Sequence, residues 1–502
     1  MKKKALLDTN IIIHREASHP ISQSVGTLYR WLDRCGYQKI VHNLTINEII
    51  KNGNQNTVNA FKEKLKSYEV IEISSPLHAK VRGMGFEYDS NNNDNVDTAL
   101  LNEVYVGRVD ILITEDKKIH KKAATIGISD KVYTIDSFLE KIYSDNPELV
   151  DYKVLNVQKK QFGCIGLSDP FFNSLKEDYD GFEKWFLRKY DEKAYITINS
   201  ENNRLLSFLY LKVEDEDEDY FSICPPFPQK RRLKVGTFKV ISNGFRLGER
   251  FLKIIFDNAL KMRVHEIYVT IYNKRIEQQR LIDLLQEWGF YFWGTKGEEL
   301  VYVRDFAPNY NKENLKHCFP YVSRRSRSYL VAIRPPYHTE LLPDSILNTE
   351  SPGDYIENFP HRNCINKVYV SHAFEPYPQA GDIIIFYRTG GYYKGVISTL
   401  GVVVETNSSF NREEEFISYC RKKSVFSENE LREKWNRGRS KPIVISFLCV
   451  YSFPHRINMA KLIDLGILKG INDAPRGFKL ISTEQLNLIL RETKSDESFI
   501  VD

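Results

Sequence analysis

Four carboxylates stand where the sequence changes pattern. Asp8 interrupts two apolar runs in "ALLDTNIII", Glu48 lies in "LTINEII", Asp97 opens "DTALL" and Asp116 ends "ILITED". Each sits at a junction of strand-like and helix-like spacing, so one parallel sheet could carry all four to the edge where open α/β sheets present polar groups. Carboxylates within a few ångströms of one another repel strongly unless cations neutralise them. Oxygen donors without Cys or His favour Mg²⁺ or Mn²⁺ over zinc. An ion so held lowers the pKa of a bound water and stabilises the leaving oxygen of a phosphodiester, which is metal-assisted hydrolysis. Taken singly, acids at helix starts are caps or solvated side chains. The neighbouring Asp94 and Glu115 stay open as ligands on this reading.

The elements that must position these residues alternate over residues 1–145. "VHNLTINEIIKN" reads as a strand end entering a helix, "TVNAFKEKLKSY" as a helix, "YEVIEIS" as a strand, "NVDTALLNEVYV" as a helix and "VDILITED" as a strand. That βα rhythm predicts a parallel sheet. "SDNPELVDYK" marks a boundary by its turn residues and proline. Residues 151–310 follow an α+β grammar, with strands "KAYITIN" and "RLLSFLYLKVED", an acidic run Glu214 to Asp219, and a helix "GERFLKIIFDNALKM". The acidic run reads as a solvated hairpin tip. A basic connector leads to residues 325–495, where "SYLVAIRP", "KVYVSHAF", "DIIIFYRT" and "PIVISFLCVYSF" predict a small β-barrel.

Composition sets bounds. The 502 residues, 42% hydrophobic, suggest about three domains, and a net charge of +5 permits a nucleic-acid partner without requiring one. No run approaches the roughly 18 apolar residues of a membrane span, and the polar triplet Asp8-Thr9-Asn10 breaks what would otherwise resemble a secretory leader. Seven scattered cysteines without a CxxC pair argue against disulfides or a zinc knuckle, so a reducing cytoplasm is expected.

The ordered set "LLDTN … TINEI … DTALL … LITED" resembles the PIN-domain ribonucleases, with the family's acids matched at Asp8, Glu48, Asp97 and Asp116 and its ordering polar residues at Asn10 and Thr114. The resemblance covers roughly the first 140 residues and implies metal-dependent cleavage of RNA. The stretch "KVISNGFRLGERFLKIIFDNA", with "HEIYVTIY" and "LLQEWGFYFWG", resembles the GNAT acetyltransferases. There a glycine-rich turn before a helix holds the coenzyme A pyrophosphate, which implies Gly244, Arg246, Gly248 and Arg250 as cofactor contacts. Arg246 stands where the family usually has glycine, and Leu285 where many members have a tyrosine general acid, leaving Tyr272 either as a stand-in or, on the other reading, as an aromatic strand residue packed against a neighbour. "AGDIIIFYRTGGYYKGVISTLGVVVE" with "RINMAKLIDLGILKG" resembles the PUA-like group, its ASCH and EVE branches in particular. Tyr387, Arg388, Tyr392 and Tyr393 offer base stacking and phosphate pairing there, with "SRRSRS", "RKKS" and "NRGRSK" as basic loops; the other reading makes them barrel filling and solvated loops.

The sequence thus predicts an α/β multidomain protein: a PIN-like parallel sheet, a GNAT-like α+β domain and a PUA-like barrel. Its expected function is an Mg²⁺- or Mn²⁺-dependent endoribonuclease of toxin-like or defence character, with acetyl-coenzyme A as a further cofactor and RNA as partner, whether tRNA, mRNA or rRNA. No membrane partner is expected, and a homo-oligomer stays open. The alternative is an acetyl-coenzyme A-dependent N-acetyltransferase acting on tRNA or protein, its PIN fold kept for binding; a third reading is a binding module with both enzymes decayed.

Overall fold

The computed structural model describes residues 3–16, 23–52, 68–89, 92–145, 157–199, 204–241, 246–345, 359–373, 376–437 and 441–502. Gly244, most of the 57–68 segment and most of the 144–153 boundary lie outside them. The chain divides into two compact units, Met1–Val150 with Gly391–Lys394, and the remainder.

The first unit is built on five parallel strands: β1 (Lys4–Leu7), β2 (Gln38–His42), β3 (Glu69–Ile71), β4 (Ile111–Ile113) and β5 (Val132–Tyr133). They lie in the order β3-β2-β1-β4-β5. Helices α1 (Thr9–Glu16), α2 (Gln23–Arg34), α3 (Asn43–Asn52), α4 (Ala79–Tyr88), α5 (Asn92–Tyr105), α6 (Lys117–Ile126) and α7 (Ile135–Asp145) connect them. The central stretches 5–7, 40–41 and Ile111–Ile113 are apolar because both faces are buried there. Leu7, Val41 and Ile113 pack with Leu28, Leu32 and Phe138 on one side, while Leu6, Ile40 and Leu112 pack with Leu100, Val104 and Ile119 on the other.

The described residues of the second unit hold two large sheets and a two-stranded one. Strands β6 (Gln158–Gln161), β7 (Lys193–Ile198), β8 (Leu205–Glu214), β9 (Arg232–Val240), β10 (Glu266–Ile271), β11 (Tyr291–Lys296) and β12 (Glu299–Asp305) form one in the order β11-β12-β10-β9-β8-β7-β6. Every pair is antiparallel except β9 with β10. Helices α8 (Asn173–Asp178) and α9 (Phe182–Arg188) precede β7; α10 (Leu247–Met262) bridges the parallel pair and α11 (Ile276–Glu287) follows β10. β13 (Val322–Ser323) pairs with the terminal β20 (Ile500–Val501).

The other sheet contains β14 (Ser328–Ile333), β15 (Asn366–Ser371), β16 (Ile383–Arg388), β17 (Val396–Asn407), β18 (Ile443–Ser452) and β19 (Phe478–Ile481) in the order β15-β18-β17-β16-β14-β19. It corrects the barrel expectation: among the described residues β15 and β19 do not pair, so no closed barrel forms. Irregularities at Phe386/Tyr387, Leu400/Gly401 and Val403/Glu405 curl the sheet. Its ends approach through side chains: Tyr369 of β15 donates to the Ala332 carbonyl at 2.6 Å, and its ring lies 6.2 Å from that of Phe478.

Candidate functional site

In the first unit the strand order turns back between β1 and β4. Strands to either side of such a point send their connections to opposite faces, which leaves a crevice at their C-terminal ends. Asp8 follows β1 directly and Thr114-Glu115-Asp116 follows β4, so both arrive at that crevice, and the Asp8 N–H donates to the Ile113 carbonyl at 3.1 Å. Glu48 comes in on α3 after β2, and Asp97 on α5 before β4.

Asp8 is buried and held on both oxygens. Its Oδ2 accepts from Thr114 Oγ1 at 2.6 Å and from Asn10 Nδ2 at 2.8 Å, and its Oδ1 accepts from the Thr9 N–H at 2.6 Å. The Thr9 hydroxyl donates to Glu48 Oε2, and Asp116 caps α6 by accepting from the Lys118 N–H at 2.6 Å. Burial, aided by the charges of Glu48 and Asp116, pushes Asp8 up to about 6 against the hydrogen bonds that lower it. Asp97 is pushed up to about 7, first by burial and then by Asp8, Asp116 and Asp94, although Lys122 opposes this. Asp8 therefore feels the charges of Glu48 and Asp116, and Asp97 those of Asp8, Asp116 and Asp94.

Among the described residues, no three carboxylates, imidazoles or thiols converge tightly enough to hold a metal ion. Each acid is drawn aside by a nearby donor: Glu48 by Thr9, Asp116 by the α6 backbone, and Asp97 by Lys122, whose Nζ is 3.8 Å away. The donor chemistry nevertheless fits a hard divalent ion, because these are carboxylate oxygens, two of them with raised affinity for positive charge. Of the neighbours left open, Glu115 turns away to accept from the Ile135 N–H at 2.8 Å, while Asp94 is buried and lies 3.3 Å from Lys118 Nζ.

Sequence reasoning missed Lys122. It is 1% exposed on the apolar face of α6, in the buried series Ile119, Lys122, Ala123 and Ile126. Its Nζ lies 2.8 Å from Asp89 Oδ1 and donates to the Asp94 carbonyl at 2.7 Å and to Thr98 Oγ1 at 3.3 Å. A lysine in the i, i+3, i+4, i+7 stripe is a signal visible in the sequence, since lysine is almost never fully buried unless paired.

In the second unit, pairing between β9 and β10 runs only from Arg232↔Glu266 to Val235↔Val269, so Gly236–Val240 continue without β10 beside them. Gly236 is the extra residue at a bulge between β9 and β8. The cofactor contacts implied by resemblance lie just beyond. Arg246 adopts a left-handed conformation before α10 and pairs with Glu249. A Cβ at Gly248 would come within 2.7 Å of Leu284 Cδ2, so this glycine allows α10 to approach α11. Arg250 is buried and grips Asp344 with both terminal nitrogens, Nη1 to Oδ2 at 2.5 Å, while Glu249 accepts from the Ile365 N–H at 2.9 Å. Burial would push Asp344 up, but the guanidinium prevails and holds it below the usual carboxylate range. The first turn of α10 is thus engaged by the curled sheet's neighbouring segments. Tyr272 packs 5.0 Å from Tyr179, and Leu285 is buried.

The four residues expected to read RNA fall on two elements assigned to different units. Tyr387 and Arg388 lie in the interior strand β16 and are buried, and burial pushes the Tyr387 hydroxyl up to about 12. Tyr392 and Tyr393 sit in the short helix Gly391–Lys394, which belongs to the first unit, where the Tyr393 ring is 5.3 Å from that of Tyr133. Of the "SRRSRS" arginines, Arg324 is half-buried and pairs with Glu497 and Asp502, while Arg325 and Arg327 are both exposed, Arg327 pairing with Asp382. Glu214, which opens the acidic run, is buried and accepts from the Tyr220 hydroxyl at 3.2 Å and from the Tyr268 hydroxyl at 2.5 Å.

No helix among the described residues is long and apolar enough to cross a membrane. No protein-family model matches the chain, and no curated protein matches it. Among solved structures, the ASCH protein of Zymomonas mobilis is similar at 11% identity and a TM-score of 0.25, covering 33% of this chain and 94% of that one. The NatB acetyltransferase complex bound to CoA and MES is similar at 11% identity and a TM-score of 0.21, covering 29% of this chain and 95% of that one. N-acetylglutamate synthase from Neisseria gonorrhoeae, complexed with coenzyme A and L-arginine, is similar at 10% identity and a TM-score of 0.20, covering 61% of this chain and 95% of that one. Likenesses of this size leave the functional reading to rest on the chain's own residues.

Proposed function

We propose that the first unit is a divalent-metal-dependent phosphodiesterase acting on RNA. The supporting observation is the set of carboxylates at the crevice between β1 and β4, with Asp8 and Asp97 raised to about 6 and 7 first by burial and then by the charges of neighbouring acids. Asp8, with Glu48, Asp97 and Asp116 around it, would hold Mg²⁺ or Mn²⁺, which supplies an activated water and a Lewis acid for the leaving oxygen. Asn10 and Thr114 fix the Asp8 carboxylate in place. Exposed Lys117 and Lys121, flanking Asp116 on α6, suit a phosphate backbone. Incubating the chain with single-stranded RNA and Mn²⁺ tests this reading. Cleavage should be blocked by EDTA and should fall by about 100-fold or more in Asp8→Asn; cleavage unaffected by either would refute it.

A second reading, acetyl transfer from acetyl-coenzyme A, is favoured by the wedge that opens where β9 and β10 part beyond Val235 and Val269. A thioester arm could lie along the free backbone of Gly236–Val240. Calorimetric titration with coenzyme A, and mass spectrometry of RNA and protein after incubation with acetyl-coenzyme A, test it: saturable binding and a 42 Da adduct are the expected signs (an acetyl group replacing a hydrogen adds about 42 Da, by the group-transfer chemistry of coenzyme A). Absence of both removes this reading and leaves the first intact.

A further inference from the structure

Four cations line one small cavity in the second unit. Arg250 and Lys253, one turn apart on α10, meet Lys367 of the edge strand β15 and Arg362 of the turn before it, with Asp344 and Cys449 also in the wall. All four are buried, Lys367 to 2% exposure and Arg250 to 5%. Carboxylates answer three of them. Asp344 takes both terminal nitrogens of Arg250, Asp257 pairs with Lys253, and Glu340 lies 3.3 Å from Arg362. Lys367 has no carboxylate within ion-pair distance among the described residues: its Nζ donates to the His361 and Arg362 carbonyls, at 2.6 and 3.2 Å. An ammonium carries three N–H donors, so one remains. Arg250 Nε is likewise buried without a hydrogen-bond partner among the described residues.

An ammonium taken out of water without a counter-charge is costly, and lysine is almost never fully buried unless paired. Burial would raise Asp344, yet Arg250, Lys253 and Lys367 together hold it below the usual carboxylate range, so one carboxylate faces three cations. The free space of the cavity, about 10 Å³, suits one water-sized body. A halide is the inorganic anion nearest to water in size; phosphate and sulfate are larger. We infer that this cavity binds one chloride ion, with Lys367 Nζ, Arg250 Nε and Lys253 Nζ as its donors, and that the ion pins α10 to the edge of the six-stranded sheet. The site depends on neither metal binding nor acetyl transfer.

The test is thermal unfolding of the full-length protein in sodium chloride and in sodium gluconate at equal ionic strength, for the wild type and Lys367→Met, with a bromide-soaked crystal as a second readout. Chloride should raise the midpoint of the second unit's transition by a few degrees over gluconate, and saturably. Lys367→Met puts an apolar side chain in place of the ammonium, so it should unfold at or above the wild-type midpoint in gluconate and lose the response to chloride. Bromide should give an anomalous peak beside Lys367 and Arg250, absent in the variant; if the variant fails to fold, the wild-type peak decides. Equal midpoints in the two salts, a chloride response that Lys367→Met retains, or bromide bound only elsewhere would overturn the inference. So would a sulfate response that matches chloride's and survives in the variant, which is the mark of general salt action on the protein surface.

Discussion

Asp8 is a carboxylate that pays for its position. Its rise from 3.8 to about 6 corresponds to roughly 3 kcal/mol of stability lost at neutral pH. Because the folded-state values of Asp8 and Asp97 lie above the ordinary 3.8, the folded chain binds their protons more tightly than the unfolded chain. Without metal, their contribution is therefore most favourable below about pH 4 and is lost as the pH rises through 6 and 7. Added Mn²⁺ should raise the melting temperature of the first unit at pH 8 and have little effect at pH 5, as a thermal-shift series across pH would show. Asp8→Asn should raise the metal-free melting temperature at pH 7.5 by a few degrees while removing the response to Mn²⁺. At this scale the sequence disclosed the acids because a charged residue beside a buried strand has few structural uses. It showed Lys122 only as a lysine in the apolar stripe of a helix; its partners Asp89 and Asp97 come from other elements and left no local sign.

At the scale of elements, α10 shows why a motif can be legible while its use is not. Its amphipathic pattern and preceding turn were readable, but Arg250 and Glu249 meet Asp344 and the Ile365 N–H, about a hundred residues further on, and no local signal reports such partners. Arg250→Ala should destabilise the second unit by about 3 kcal/mol, since it leaves the partly buried Asp344 without its counter-charge, whereas Arg250→Met with Asp344→Leu should recover most of that loss. Urea unfolding of the two variants measures both effects. Gly294→Ala is expected to be as damaging: its Cβ would lie 2.1 Å from the Cys224 carbonyl oxygen, a backbone atom that cannot move aside without displacing the bridge to Thr295. The barrel failed as an expectation for a related reason. Alternating strands report that a sheet exists, but closure depends on whether the edge strands β15 and β19 hydrogen-bond to each other, and among the described residues they do not.

At the scale of the whole molecule, the chain separates into two compact units, each with its own core. Independent cores unfold as separate cooperative steps. Calorimetry should resolve two transitions, with Mn²⁺ shifting only the one that Asp8→Asn also shifts and coenzyme A, if it binds, shifting only the other. A single transition moved by both ligands would count against the assignment of the acid crevice and the β9/β10 wedge to different units.

The central claim is that the carboxylates at the ends of β1 and β4 form a divalent-cation site. Anomalous diffraction from a crystal soaked in Mn²⁺ tests it most directly. A peak is expected within about 2 to 2.5 Å of carboxylate oxygens from Asp8 and Asp116, absent in Asp8→Asn. A crevice that stays empty at saturating Mn²⁺, or an ion bound only elsewhere on the protein, would contradict it.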